Sequence, residues 1–367
     1  MGSFFIIYIQ KNGNFVSFFK KSIMYHHFKK TAKTALILVY LVIIAGAVVR
    51  MTGSGMGCPD WPKCFGHIIP PTDASELQWA PNTSFSEGQI IIWEETLQVA
   101  NSTFTSKSIF EKENWSLYTK HDYANFNPTH TWIEYINRLF GAVAGLATFI
   151  LALLSLKYWR KRKSITILSW FIVIAMGFQG WLGATVVYSV LEPIKITIHM
   201  VMALGIVALL IYLLFSIETN TSRNKYSKNI SYLFVFALIL TLIQIVLGTQ
   251  VRQLVDEQVD IVGETAKNLW LQNETIWFYI HRSFSIIVTA LNFYIAYLFL
   301  KMKFNFSKLK WILIFILLEI VTGMLMFYID FPFGSQTLHL VIATLLFGLQ
   351  FYMVLETLKS VKQHKTL

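Results

Sequence analysis

Charge is scarce in this chain. Asp, Glu, Lys and Arg make up 14% of its 367 residues, against 55% hydrophobic and 16% aromatic, and the mean hydropathy is +0.53. A soluble domain of this length carries roughly a quarter of its residues as charges, so that class is excluded. Cysteine is almost missing: Cys58 and Cys64 are the only two. Structural zinc sites use four ligands at tighter spacing, which this C-x5-C pair does not supply. A disulfide or a redox-active pair is the leading reading, with two free thiols as the alternative. A cleavage signature is also missing from the residues before Met24. The apolar run at 4–9 is too short to span a bilayer, so this stretch reads as a mis-assigned start or a flexible leader.

What the chain has instead is eight apolar runs long enough to cross a membrane, at 34–50, 134–156, 165–187, 195–217, 230–250, 276–300, 311–329 and 336–357. Basic clusters lie at 29–33, 157–163, 222–228, 301–310 and in the C-terminal tail, while 51–130 and 256–264 lean acidic. The positive-inside rule then puts both termini in the cytoplasm, and an even number of spans agrees. The net charge of +11 is mostly topogenic and lipid-facing, and it gives no reason to invoke nucleic acid.

The chain repeats itself. "GAVVR" (46–50) matches "GTQVR" (248–252), "EYINR" (134–138) matches "YIHRS" (279–283), and "TIHMVMALG" (197–205) matches "TLHLVIATL" (337–345). Gly183 precedes His199 by the interval that separates Gly323 from His339. Each unit has four spans, so the two run in the same direction through the membrane. The expected fold is an all-α membrane protein: eight transmembrane helices in two parallel-repeat four-helix bundles, both termini cytoplasmic. The expected segments are a leader at 1–33, a first bundle at 34–217 with an outer loop at 51–133, a linker at 218–229, a second bundle at 230–357 and a tail at 358–367.

The repeat places four residues at equivalent depth near the outer helix ends: Asn137 and His199 in the first bundle, His281 and His339 in the second. Imidazoles in apolar helices are expensive and usually mark function. Neutral imidazole is also the common haem ligand, and two from facing helices hold a six-coordinate haem. Phe278, Phe284, Leu338, Leu340 and Phe347 supply apolar surroundings. Arg50, Arg138, Arg252 and Arg282 near the same ends suit haem propionates. The bland alternative is hydrogen bonding between helices, which explains one histidine more easily than a repeated pair. Glu134 shares a helix face with Asn137 and reads equally as a proton-transferring group or as an acid paired with a nearby arginine. Glu319, whose repeat counterpart is Gln179, reads as a polar packing contact. His67 and His121 read as solvated loop residues. His130, one turn above Glu134, is a reserve ligand.

The stretches "AGAVVRMTGSGMGCPDWPKCFG" (45–66), "EYINRLFG", "IHMVMA", "IHRS" and "LHLVIA" together resemble the haem A synthase family, over about 36–357. The resemblance implies a membrane oxidoreductase that converts a methyl group of haem O to the formyl group of haem A, with water as the oxygen source, for cytochrome oxidase biogenesis. It implies a haem b cofactor on His281 and His339, with Arg282 and Arg252 beside it. It implies a substrate haem near His199, Asn137, Arg138 and Arg50, with Glu134 as the catalytic residue and Cys58 and Cys64 as the outer-loop cysteine pair. The implied location is the bacterial inner membrane. The implied partners are haem O synthase, cytochrome oxidase and lipid, and self-association is common among such proteins. One departure stands out: Asn137 occupies the place of the histidine in the family's E-x-x-H-R motif. It leaves an open coordination position, is replaced by His130, or marks a degenerate first bundle. The rival classes are a bis-histidine cytochrome passing electrons from quinol without modifying haem, and a transporter. The position of the polar residues near one membrane surface argues against the transporter.

Overall fold

Hydropathy alone dictates most of the architecture. The computed structural model describes residues 2–218, 225–272 and 275–363. It contains eight helices long and apolar enough to cross a membrane. They are α1 (Gly2–Met51), α2 (Pro128–Ser155), α3 (Lys163–Tyr188), α4 (Pro193–Ile217), α5 (Lys228–Val262), α6 (Ile276–Lys301), α7 (Ser307–Tyr328) and α8 (Ser335–Gln363). Local chemistry sets several starts. Asn127 caps α2 by accepting from the Thr129 and His130 N–H groups, with Pro128 in the first turn, and Pro193 opens α4. Residues 219–224 of the expected linker and the last four residues of the expected tail lie outside the described residues.

Three boundaries differ from expectation. α1 runs back through the expected leader to Gly2, although its membrane-crossing segment starts at Tyr25. α5 continues to Val262, twelve residues past its apolar run, so Asp256 sits on a helix one turn beyond Arg252 rather than in a loop. α8 likewise continues to Gln363.

Helices α1 to α4 pack in a ring: α1 touches α2 and α4, and α3 touches α2 and α4. Helices α5 to α8 pack in the same way, and between the two groups α8 meets α1 and α4 while α5 meets α4. Lipid tails are as apolar as leucine, so helix association here depends on close van der Waals contact rather than on expulsion of water. Buried small residues provide that contact in the first group, with Ala32, Ala35 and Ala144 fully buried beside Leu151, Ile172 and Leu210. Phe234, Ile295, Phe299, Leu309 and Ile312 fill the second. Leu204, Ile245 and Phe347 fill the seam between them.

The expected outer loop between α1 and α2 has a small structure of its own beside the all-helical bundles, with three short 3-10 turns. It holds five short strands: β1 (Ser84–Phe85), β2 (Ile90–Trp93), β3 (Thr96–Ala100), β4 (Phe104–Thr105) and β5 (Trp115–Leu117). β1 pairs with β4, and β2, β3 and β5 form an antiparallel sheet in that order. Trp79, Trp93, Phe110 and Trp115 form its aromatic core, with Trp93 stacked on Phe110 at 4.4 Å between centroids. Trp79 and Trp93 therefore hold this cap together. Trp61 reaches the helices: it lies over Gly180, and its carbonyl accepts from the Tyr188 hydroxyl at 3.1 Å.

Candidate functional site

Asn137, His199, His281 and His339 all lie in the first three turns of even-numbered helices. Each leans on a glycine of the preceding helix. A methyl group placed on Gly46 would meet Asn137 Oδ1 at 3.8 Å, and one on Gly183 would meet His199 Cε1 at 3.4 Å. The corresponding distances are 3.1 Å from Gly248 to His281 Cε1 and 3.7 Å from Gly323 to His339 Cε1. The missing side chains let each ring edge or amide seat against a neighbouring backbone. The repeat pattern contained this signal, because "G-x-V-V-R" and "G-x-Q-V-R" both open on the glycine.

His281 and His339 face each other across α6 and α8, with ring centroids 6.4 Å apart and ring planes at 69°. Two metal–imidazole bonds of about 2 Å, plus the half-width of each ring, span roughly that distance. The tautomer of His339 is set by its surroundings. The Thr322 hydroxyl bonds back to Leu318 O at 2.8 Å, so its oxygen accepts from His339 Nδ1–H, also at 2.8 Å. Glu319 Oε2 lies 3.1 Å from the same nitrogen. That leaves Nε2 as the lone-pair nitrogen, which an axial ligand needs. His281 Nδ1 is buried without a hydrogen-bond partner among the described residues, and the Gln244 amide holds the His281 carbonyl at 3.0 Å. Phe278 is buried against Phe327 alongside. These residues fit a haem gripped from both sides. Glu319, expected as a polar packing contact, makes that contact with the ring of His339.

The first group of helices is built differently. Gln179, at the place of Glu319, donates to the His199 carbonyl at 3.0 Å and lies 3.3 Å from its Nε2. His199 Nδ1 and Asn137 Oδ1 are both buried without a partner among the described residues. His130 sits in the first turn of α2, seven residues before Asn137, or about 10 Å along the helix axis. It cannot take Asn137's place without unwinding α2.

Cys58 and Cys64 are disulfide-bonded, and their loop is clasped by one face of α2. The Thr131 hydroxyl donates to Gly57 O at 2.6 Å, and the Cys58 N–H donates to Glu134 Oε2 at 2.9 Å. Arg138 reaches Glu134 Oε1 at 2.5 Å and donates to the carbonyls of Cys58, Asp60 and Lys63. Glu134 is 4% exposed, so this ion pair is buried. Asp60 accepts from the Gly66 N–H. Burial pushes its carboxyl up from the ordinary value, while that bond and Arg138 pull it down. The Tyr118 hydroxyl donates to Pro59 O, and burial pushes its ionisation up. His121 is not simply solvated as expected, since it bonds Pro59 O at 2.9 Å, and His67 Nε2 is buried. Neither joins a metal cluster: no group of three or more His, Cys, Asp or Glu among the described residues is placed to hold an ion. A methyl group on Gly57 would lie 2.5 Å from the His130 carbonyl oxygen, backbone against backbone. Gly57→Ala is expected to lift the disulfide loop and cost about 1–3 kcal/mol, read as a lower midpoint in thermal unfolding of the purified protein.

The expected propionate-binding arginines have partners of their own. Arg50 and Arg252 both bind Asp256, at 2.8 Å and 2.5 Å, and Arg252 also bonds Arg50 O and the Gln336 side chain. Arg138 is turned into the disulfide loop, while Arg282 is exposed and lies over Phe278 and Tyr279. The interbundle role of Asp256 was not foreseen, because an apolar-run reading ends α5 before it.

Fold and site together define a polytopic membrane protein that gathers imidazoles, amides, carboxylates and guanidinium groups at one end of its helices. The chain belongs to the family described as cytochrome oxidase assembly protein, whose COX15-CtaA model matches residues 30–351. It is 30% identical over 220 residues to the Heme A synthase of Shewanella oneidensis, covering 59% of this chain and 54% of that protein. It is 25% identical over 352 residues to the Heme A synthase of Ehrlichia canis, covering 86% and 89%, and 22% identical over 341 residues to that of Wolbachia pipientis, covering 86% and 88%.

Proposed function

We propose that this chain is a haem A synthase of the bacterial inner membrane, oxidising a methyl group of haem O to a formyl group. With water as the oxygen source, each conversion releases four protons and four electrons, and the electrons pass to an acceptor outside this chain. The reading is supported by the relatives' name and above all by the facing His281 and His339 rings, 6.4 Å apart. In it the two bundles are parallel repeats, both termini are cytoplasmic, and the disulfide-bonded cap lies on the outer surface. Haem O synthase and cytochrome oxidase are the proposed neighbours in supply and delivery.

His281 and His339 would hold a resident haem b. Such a group supplies a one-electron relay when bound. Arg252 and Arg282 are the proposed cations beside it. In the first bundle His199 is the proposed sole imidazole for the substrate, with Arg50 and Arg138 nearby. Glu134 is the proposed proton acceptor. Three donors use three of the roughly four lone-pair sites of its carboxylate, which leaves one. The disulfide loop covers the Glu134 carboxyl, which is buried.

Co-expression with a source of haem O, followed by haem extraction, tests the reading. The enzyme yields haem A or its hydroxylated precursor. A cytochrome that only relays electrons yields neither, and that result would overturn the proposal.

Asn137 suits a substrate that must leave after reaction. Asn137→His adds a second imidazole to the first bundle. An added bond worth about 1.4 kcal/mol net slows release about tenfold. The variant is expected to accumulate bound substrate haem and to turn over at least that much more slowly, measured by haem content and product per protein.

A further inference from the structure

The two bundles differ by a second pair of residues besides Asn137 and His281. Gln179 on α3 and Glu319 on α7 occupy matching places, one turn from Gly183 and Gly323 respectively, and each faces the histidine of the next helix. The amide of Gln179 binds the backbone carbonyl of His199 and presents no charge to the ring. The carboxylate of Glu319 points at Nδ1 of His339. Its side chain is 18% exposed, and its Oε1 is buried with no hydrogen-bond partner among the described residues. An acid in a membrane helix is costly to keep, so its contact with one ring nitrogen asks for an explanation.

Ligand histidines donate their second N–H to an acceptor, and the acceptor's identity sets how electron-rich the ring is. Here the Nδ1 proton has two acceptors, the neutral Thr322 hydroxyl at 2.8 Å and the Glu319 carboxylate at 3.1 Å. We propose that Glu319 is a positioning residue that acts through His339, fixing its ring and giving it partial imidazolate character, so that the resident haem gives up electrons more readily. Thr322 tempers that effect by sharing the proton. A more anionic ligand favours ferric over ferrous iron and lowers the midpoint potential. A relay that receives electrons from a substrate and must pass them on benefits from such a bias. The first bundle, which holds a substrate rather than a relay, has the neutral amide instead. The inference rests on His339 being an axial ligand.

The test is a redox titration of the full-length protein, purified with the haem it carries and followed by the absorbance of that haem. Glu319→Gln keeps the shape and replaces the acidic acceptor of the Nδ1 proton with an amide, and is expected to retain haem with a higher midpoint potential. Glu319→Asp is expected to return the midpoint toward the wild-type value. Thr322→Val removes the neutral acceptor, leaves the proton to the carboxylate alone, and is expected to lower the midpoint. A purely structural role does not produce shifts of opposite sign from two neighbours on one helix. An unchanged or lower midpoint in Glu319→Gln overturns the proposal. If that variant does not assemble, an unchanged or higher midpoint in Thr322→Val overturns it. Loss of the underlying reading looks different: a wild-type protein without haem, or His339→Ala with its haem intact, removes the axial ligand itself and this proposal with it.

Discussion

Purified His281→Ala and His339→Ala proteins are expected to carry at least tenfold less resident haem than the wild type. Removing a group that merely orients a ligand costs about 10–100-fold in metal affinity, and removing the ligand costs more. The geometry makes the two losses equivalent. The rings face each other from α6 and α8, and each packs against a glycine, Gly248 or Gly323. Alanine therefore leaves a hole that His199, on α4, is not placed to fill from across the seam. The measurement is haem per protein by pyridine haemochrome assay, with His199→Ala as the comparison. That substitution is expected to leave the resident haem in place and to weaken retention of added haem O. If His281→Ala and His339→Ala both keep wild-type pigment, the bis-imidazole site is wrong.

Much of this was legible in the sequence because hydropathy and repetition act locally. Eight apolar runs became eight helices, and the "HM" and "HL" segments became histidines in the first two turns of α4 and α8. The helix ends were less legible. Residues 251–262 mix charged and apolar side chains but contain no Gly or Pro, so α5 runs on past its apolar segment and carries Asp256 between Arg50 and Arg252. The cap was missed for a related reason. The β2–β3 hairpin turns through Glu94 and Glu95, both with positive φ (48° and 60°), where Asn-Gly is the usual signal. Interactions distant in sequence were the least legible. Nothing in "EYINR" shows that Arg138 binds carbonyls of residues 58, 60 and 63. Nothing in "LLEIVTG" shows that its glutamate meets a ring on the following helix.

Glu134 is where a catalytic and a structural reading meet in one side chain, and a pair of substitutions separates them. Glu134→Ala removes the acceptor for the Cys58 N–H and the partner of Arg138, which is itself only 13% exposed. Breaking a buried pair from one side costs about 3–5 kcal/mol. Arg138 retains three carbonyl acceptors, so the lower end of that range is expected. This variant is expected to lose product formation and to unfold at lower temperature, while keeping the resident haem, whose proposed ligands His281 and His339 sit in the other bundle. Glu134→Gln differs in one respect. Its amide oxygen can still accept from Cys58 or Arg138, so the disulfide loop stays docked, but it takes up no proton at neutral pH. If Glu134 is the proton acceptor, Glu134→Gln folds nearly as well as the wild type and makes on the order of a hundredfold less haem A, the scale of a lost general base. If Glu134 only clasps the loop, Glu134→Gln makes haem A at close to the wild-type rate, and activity across the two variants follows thermal stability. Haem A extracted per protein, set beside the unfolding midpoint of the same preparation, decides between them.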